Sequence, residues 1–507
     1  MKINQLKAGV LLSYVSFALS AVIQLGYTPV MTRLLGTSEY GLYTLVASVV
    51  SNLGLLTFGT NGGYLRFFFR EKEKGGDEAV ARLNGTFLVI YASLGLVAIA
   101  AGLALAGNVE LVMGSKLTAA EQEKALVLLT LLAFAMGVSI TCSVFDSFII
   151  AHEQYLFQRV LMIAEAVCNP FLSLPLMLMG LGSAAMVIAS VTVTVSMAVI
   201  NVIFCLKKLK MRFRFRGIQL GMVKSIFVFS FFIFLNQIVD QINWNVDSFL
   251  LGRFWGTLEV AVYGLAARVN NLYLKCSTAI TSVFAPRINQ IVAQDKKPEG
   301  QLLQLMIRVG RIQALVLTLI LLGLFLLGRP FLLWMGGEEA YLRAYPVLLL
   351  LVFPVTISLI QDLGVEVQRA KNKHYFRGIV YFLMAVLNVL ISIPLSRRFG
   401  GIGAAAGTAV SLIVGNVLVM NWYYQKQLHL DMLAFWRELL SLAKGFVIPG
   451  LYCILCVCMV DTLQLGCFVL SGIGLVAVYC GSVWLLSMNE EEKNLIRQLL
   501  ARLVRRR

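Results

Sequence analysis

Arg268, Asn271 and Lys275 stand at i, i+3 and i+7, a spacing that sets them on one face of a helix. A guanidinium presents a planar fork of donors that fits phosphate oxygens two at a time, and an ammonium adds a compact charge. Such a face can hold an anionic phosphate group. The segment before it carries Asn236, Asp240, Asn243 and Asp247 as an acidic and amide stripe. Two readings stand together: an Arg268–Asp240 ion pair joining two helices, and a cationic face that Asp240 releases when an anion arrives. Among otherwise apolar N-terminal runs the polar candidates are Gln24, Asn52, Asn61 and Arg66. Glu165, Asp362 and Glu366 are carboxylates that could couple to protons or sodium, or pair with Arg159 or Arg369.

Other chemistry finds no support in the residues. Cys453, Cys456 and Cys458 have a loose metal-like spacing, but they sit among Leu, Ile, Val and Met with no histidine nearby. They read as small apolar helix residues. His152, His374 and His429 are far apart in polar loops, so no zinc set forms. No Gly-rich phosphate loop and no Ser-His-Asp order stands out. No catalytic residue, metal or cofactor is assigned.

The elements that position these residues must cross a membrane. Of 507 residues, 59% are hydrophobic and 14% charged, against about 45–50% and about 25% in an average soluble chain. Mean hydropathy is +0.82. A spanning helix needs about 20 mostly apolar residues, and fourteen such runs are present: 7–27, 40–62, 83–107, 125–149, 160–180, 184–206, 223–246, 258–285, 306–328, 345–368, 377–395, 402–424, 442–461 and 465–487. The expectation is an all-α polytopic protein. The first run is too long for a secretory signal and has no clear cleavage site after it, so it reads as a retained helix.

The net charge of +17 follows from topology. With both termini cytoplasmic, the inner segments and the span ends that adjoin them hold 33 Lys and Arg and the outer ones 8, while Arg268 and Lys275 fall deeper inside a span. Basic residues gather on the cytoplasmic side of membrane proteins, so the asymmetry fixes the orientation. The loop Lys207–Arg216 interleaves aromatics with cations. Lying between two spans, it is expected to rest on anionic lipid headgroups rather than on nucleic acid. From Asn489 the tail has an apolar stripe, acidic residues first and Arg505–Arg507 last, as an interfacial helix would.

The chain also repeats itself. Residues 33–47 and 253–267 share seven of fifteen positions, including Arg33/Arg253, Gly36/Gly256, Thr37/Thr257, Glu39/Glu259 and Tyr43/Tyr263. Asn169, Ser173 and Pro175 match Asn388, Ser392 and Pro394, and Gly180–Ala185 matches Gly401–Ala406, pairing Gly182 with Gly403. The offset of about 220 residues equals six spans. Spans 1–6 thus repeat as 7–12 in the same orientation, and parallel repeats of this kind are a transporter architecture. In the repeated Arg-x-x-Gly-Thr-x-Glu segment, Gly is expected to give a tight outer turn, Thr an N-cap and Glu a first-turn charge. Gating by Arg33 or Arg253 is the other reading. The organisation expected is an N-lobe over 1–206, a basic cytoplasmic linker over 207–222, a C-lobe over 223–425, a helix pair over 426–488 and a tail over 489–507.

The opening helix Lys7–Tyr27, the segment Thr32–Tyr43 (TRLLGTSEYGLY), the stretch Asp247–Tyr263 (DSFLLGRFWGTLEVAVY) and Gly401–Ala406 resemble the multidrug/oligosaccharidyl-lipid/polysaccharide flippase superfamily. Within it the polysaccharide transporter branch of O-antigen-type flippases fits best. The resemblance runs over essentially the whole chain and is silent on the exact substrate. It implies two six-helix lobes with alternating access to a central cavity, and movement of undecaprenyl-pyrophosphate-linked sugars from the inner to the outer leaflet. Arg268, Asn271 and Lys275 would then hold the pyrophosphate, with Asn236, Asp240, Gln24, Asn61 and Arg66 around the path. Spans 13 and 14 resemble the pair lining a lipid groove in the lipid II flippase.

The partners implied are a lipid-linked oligosaccharide, membrane lipids, and glycosyltransferases or a polymerase of the same pathway. The location is the bacterial cytoplasmic membrane. A cation-coupled multidrug exporter of the same superfamily would want an acidic, aromatic-lined cavity, and the cationic midplane argues against it. A membrane polysaccharide polymerase or glycosyltransferase would want a large outer loop or paired carboxylates, whereas the outer loops here reach only about twenty residues.

Overall fold

The structure is a computed structural model describing residues 5–497 apart from 58, 115, 217–219, 282, 295–297, 372, 374, 491, 495 and 496. The described residues are nearly all helical, without a strand among them. Ten helices are long and apolar enough to cross a membrane, or eleven if the bent pair Met432–Leu440 and Ala443–Met459 is one span. Two of the ten, Leu19–Thr57 and Tyr375–Gln427, have 39 and 53 residues. At about 1.5 Å per residue each exceeds one bilayer crossing of about 30 Å. The fourteen apolar runs and the ten or eleven helices differ for this reason and one more: the 258–285 run carries Glu259, Arg268 and Lys275, and its helix is too polar to be counted.

The chain forms two compact units. The first comprises Met1–Gly264 with Met335–Ala340 and Val389–Ala404. It holds α1 (Gln5–Leu53), α2 (Thr60–Gly107), α3 (Val109–Met113), α4 (Ala119–Ala151), α5 (Tyr155–Leu178), α6 (Ser183–Ile203), α7 (Leu220–Trp255) and the start of α8 (Thr257–Thr281). Its core is aromatic. Tyr64, Phe68, Phe87, Tyr91 and Phe148 are buried together, and the Tyr64 hydroxyl donates to Asn84 Oδ1 at 2.6 Å, so the ring is buried without an unsatisfied polar end.

Two turns in this unit, at matched positions of the repeated segment, are built alike. Gly36 breaks α1 with φ 73°, and Gly256 separates α7 from α8 with φ 86°. Both need the left-handed backbone that glycine adopts without penalty. The threonines that follow do not cap their own helices as expected. Thr37 donates its N–H and hydroxyl to Glu338, each at 3.2 Å. Thr257 donates its hydroxyl to Glu121 Oε1 at 2.8 Å. The glutamates likewise serve a different helix. Glu39 accepts from Ser183 N at 3.0 Å, and Glu259 accepts from Gly401 N at 3.4 Å. Each carboxylate therefore caps the start of a helix distant in sequence, where exposed N–H groups and the positive dipole end favour an anion.

That pairing also corrects the register of the second sequence match. Gly182 has φ 53° and ψ −135°, and its equivalent is Gly400 with φ 58° and ψ −135°, not Gly403. The run of small residues after each turn drew the alignment three positions too far. The glutamate cap marks the true correspondence.

Two equivalent positions of the repeat also meet. Thr44 and Gly264 stand 220 apart, as equivalents do. A methyl group at Gly264 would come within 2.9 Å of Thr44 Cγ2.

The second unit comprises Leu265–Trp334, Tyr341–Asn388 and Ala405–Arg507. It holds most of α8, of α10 (Glu299–Gly336) and of α13 (Tyr375–Leu412), with α9 (Ala285–Gln294), α11 (Ala344–Ile360), α12 (Leu363–Ala370), α14 (Met420–Gln427), α15 (Met432–Leu440), α16 (Ala443–Met459) and α17 (Leu465–Leu486). α16 and α17 pack on α10 through Leu326, Cys453, Cys456 and Leu475. Cys453 Sγ lies 3.7 Å from the Leu322 carbonyl oxygen, so these cysteines act as the small core residues expected. Arg311 of α10 is almost fully buried and meets Glu492 through Nε at 2.7 Å and a second nitrogen at 3.0 Å. The same guanidinium donates to the Ser487 carbonyl at 2.9 Å and to Ser441 Oγ at 3.2 Å. One side chain thus fixes the α15–α16 corner and the end of α17 to α10. Most of the expected amphipathic tail lies outside the described residues.

Candidate functional site

α8 carries two polar stripes. Asn270, Tyr273, Ser277 and Thr281 form the buried one. The Tyr273 hydroxyl lies 2.6 Å from Thr356 Oγ1, Ser277 Oγ accepts from Gln313 Nε2 at 2.8 Å, and Thr281 Oγ1 donates to Asp362 Oδ2 at 3.3 Å. These bonds fasten α8 to its neighbours in the second unit. With that face committed, the opposite one stays open. Asn271 and Lys275 are exposed and Arg268 is half-buried, on the shared face that the spacing gave. The buried stripe was missed because Asn, Tyr, Ser and Thr carry no charge and resemble ordinary helix residues.

α7 divides its expected stripe. Asp240 is exposed. Asp247 is buried and accepts a hydrogen bond from the Tyr263 hydroxyl, so it joins α7 to α8 and leaves the acidic face it was assigned to. The side chains of Asn236 and Asn243 lie outside the described residues. A cluster the sequence reading did not name takes a share of the contact: Gln241 Nε2 donates to Ser51 Oγ at 2.7 Å, and Asn245 Nδ2 donates to Gln241 Oε1 at 3.1 Å. The amides at i and i+4 were the available signal.

The remaining N-terminal candidates are scattered. Gln24 is half-buried on α1. Asn52 is exposed and returns its amide to the Ser48 carbonyl at 2.9 Å, a local bond within its own helix. The Arg66 guanidinium lies 4.6 Å above the Phe229 ring, a cation–π contact between α2 and α7. The side chain of Asn61 is outside the described residues.

The three carboxylates have different surroundings. Glu366 pairs with Arg369 one turn away at 2.7 Å, and Asp362 accepts from Thr281. Glu165 instead lines a cavity of about 310 Å³ within the first unit, with Asp146, Gln158, Arg159, Thr194 and Asn201. Asn201 Nδ2 donates to Asp146 Oδ1 at 2.5 Å, while Arg159 turns to Met162 Sδ at 3.3 Å. Asp146 was overlooked in the sequence, although a single carboxylate inside the apolar 125–149 run is the kind of residue whose cost demands an explanation.

The basic loop has two sides. Leu209, Met211 and Phe213 turn into the aromatic core, and Arg214 N donates to the Ala81 carbonyl at 2.9 Å. The loop is strapped along α2, with Lys210, Arg212 and Arg214 on its open side. Aromatics and cations alternate because one side packs and the other is wet.

Comparison with known proteins places these features. Residues 6–292 match the family described as polysaccharide biosynthesis protein. The teichuronic acid biosynthesis protein TuaB of Bacillus subtilis (strain 168) is 23% identical over 231 residues, covering 45% of this chain and 46% of that protein. The probable flippase AglR of Haloferax volcanii is 25% identical over 181 residues, covering 35% and 37%. The chain thus spans less than half the length of the curated relatives it matches. Among solved structures, the lipid II flippase MurJ in an inward closed conformation superposes with a TM-score of 0.72 at 15% identity, covering 93% of this chain and 98% of that one. An inward-facing multidrug resistance MATE family transporter gives 0.59 at 13% identity, covering 80% and 96%. These likenesses establish a MurJ- and MATE-like fold.

Proposed function

As the chain belongs to the polysaccharide biosynthesis protein family, we propose that it is a flippase carrying an undecaprenyl-pyrophosphate-linked oligosaccharide from the inner to the outer leaflet for a cell-surface polysaccharide. The observation that carries this reading is the division of α8 into a hydrogen-bonded buried stripe and an open stripe of Arg268, Asn271 and Lys275. The neutral stripe supplies the bonds to neighbouring helices, and the two cations of α8 both fall on the other stripe. Ionisable groups at membrane depth cost about 2.5–3.5 kcal/mol on insertion scales, and an anionic cargo offsets that cost.

No covalent bond changes in this work. The sugar and pyrophosphate cross in a wet cavity while the lipid tail stays in the bilayer. Arg268 grips phosphate oxygens through its fork, Lys275 adds charge, and Asn271 offers an amide to either sugar or phosphate. Asn236, Gln24, Asn61 and Arg66 complete the polar path. Proton or sodium coupling falls to Glu165, Asp362 and Glu366, with Glu165 favoured by its cavity. Fourteen spans make up two six-helix lobes over 1–206 and 223–425, a linker over 207–222 and a helix pair over 426–488. The protein sits in the bacterial cytoplasmic membrane with both termini inside, beside the glycosyltransferases or polymerase of its pathway.

The test is transport itself. Proteoliposomes holding a lipid-linked oligosaccharide on one leaflet are assayed for its appearance on the other. Loss of transfer in a well-folded Arg268→Ala, Lys275→Ala variant supports the reading. Undiminished transfer removes α8 from the path.

A further inference from the structure

We propose that the first unit carries a phosphate-binding site at its basic end, separate from the transport path and formed where the linker strand crosses α2. The cavity there has a volume of about 240 Å³. It draws on three connections distant in sequence: the α2 segment around Lys72, the end of α4 at His152, and the linker residues Lys210 and Arg212.

The walls differ in kind. Phe68 and Phe148 give an apolar floor, and the cations stand at the rim. Lys72 Nζ lies 5.6 Å from the Phe68 ring centroid, so its ammonium is drawn over the floor. His152 stacks on Phe148 with ring centroids 4.2 Å apart. Its Nδ1 lies 2.9 Å from the Phe148 carbonyl oxygen. A carbonyl can only accept, so Nδ1 carries the hydrogen. Asp77 also lines the cavity. Its single negative charge is outnumbered by Lys72, Lys210 and Arg212.

The site is also held in shape. Asn84 is buried, accepts from Tyr64 and donates Nδ2 to the Arg212 carbonyl at 3.1 Å. Arg214 N is bonded to the Ala81 carbonyl. On the other side of Arg212, the Met211 N–H donates to the Cys205 carbonyl at 2.9 Å, so the two linker cations are presented from a fastened segment rather than a loose one. A fixed set of cations around an apolar floor suits a phosphate group joined to an apolar portion. A phospholipid headgroup and a soluble organic phosphate share that chemistry.

The experiment uses the full chain purified in uncharged detergent and follows its unfolding temperature. The probes are inorganic phosphate and dihexanoyl phosphatidylglycerol, with dihexanoyl phosphatidylcholine as the neutral-headgroup control. The expected result is a saturable rise with at least one phosphate probe beyond that given by the control. In the Lys72→Gln, Lys210→Gln, Arg212→Gln variant the half-saturating concentration rises at least tenfold, since each cation near an anionic surface is worth about fivefold in binding. Lys210→Gln alone substitutes for the triple variant if the latter is not recovered, with a shift of about fivefold. Lys207→Gln with Lys208→Gln, outside the cavity, leaves half-saturation unchanged. Saturation by phosphatidylglycerol alone assigns the ligand to the lipid headgroup, and saturation by inorganic phosphate assigns a soluble source. No saturable rise with either probe overturns the proposal. So does a half-saturation that the cavity substitutions leave in place, or one that Lys207→Gln with Lys208→Gln moves equally.

Discussion

The Thr37 hydroxyl donates to Glu338 Oε2 at 3.2 Å, and its repeat equivalent, the Thr257 hydroxyl, donates to Glu121 Oε1 at 2.8 Å. The arrangement is reciprocal. The first repeat's threonine reaches the connection between the third and fourth spans of the second repeat, and the second repeat's threonine reaches that connection in the first. The arginines of the same motif obey the same exchange. Arg33 Cγ would lie 2.5 Å from a methyl group at Gly337, and the backbone oxygen of Arg253 would lie 2.9 Å from one at Gly114. These contacts gather at the ends of the helices away from the basic loops. The flippase proposed above, working by alternating access, would part them in each cycle. Cysteines at Thr37 and Glu338, in a background without other cysteines, are expected to form a disulfide readily on mild oxidation. Transport should stop while the bond stands and return on reduction. Transport that continues with the disulfide formed would show that these turns need not separate.

The two glutamate caps are equivalent in place and unequal in strength. Glu39 accepts from Ser183 N, from Ser183 Oγ at 2.5 Å and from the Lys124 ammonium, whereas Glu259 receives the Gly401 N–H at 3.4 Å. Glu39→Ala is expected to lower stability by about 1–2 kcal/mol, in the range of a lost helix cap, and Glu259→Ala by less. Thermal unfolding in detergent reads the difference. Equal losses would mean that the additional bonds of Glu39 contribute nothing.

How far the sequence carried depends on which signal a residue leaves. The repeated Arg-x-x-Gly-Thr-x-Glu segment was legible because identical residues recur at a fixed offset, and Gly36 and Gly256 do turn the chain in the same way. The partners of that segment were not legible. Thr37 meeting Glu338 is a contact 301 residues apart, and nothing local announces it. On α8 the charged face was readable, since Arg268 and Lys275 are conspicuous in an apolar run. The neutral face was not, because Tyr273 and Ser277 reveal their bonds only once Thr356 and Gln313 are beside them. The linker was legible on one side only, for a related reason. Its cations suggested headgroups, but the intervening Met211 and Phe213 needed a core to enter, and that core is built from helices elsewhere.

The Arg311 anchor makes a separate prediction. A buried ion pair broken on one side costs about 3–5 kcal/mol, because the remaining charge is left without compensation. Glu492→Ala should therefore destabilise the protein strongly and loosen α16 and α17, seen as faster proteolysis between Leu442 and Met488. Replacing both partners, Arg311→Leu with Glu492→Leu, should recover most of the loss, since an apolar pair of similar volume avoids the desolvation cost. If the double variant is as unstable as the single one, the bonds from Arg311 to Ser441 and Ser487 carry the anchor and the glutamate is incidental.

The last prediction separates the two roles open to Arg268. Arg268→Ala removes a cation from the open face of α8 but also removes the partner the sequence offers Asp240, so the single change confounds binding with folding. The informative set is Arg268→Ala, Arg268→Lys, and Arg268→Ala with Asp240→Ala. If Arg268 grips the pyrophosphate, the double variant folds normally yet transports roughly tenfold to hundredfold more slowly, the range expected for losing a charged hydrogen bond. Arg268→Lys keeps part of the activity, because charge survives while the two-point geometry is lost. Tyr273→Phe supplies the contrast. It breaks bonds on the buried stripe of the same helix and should lower the unfolding temperature with little effect on transport per folded molecule. Full transport by a well-folded double variant would assign Arg268 to structure alone and leave Lys275 as the remaining cation of that face.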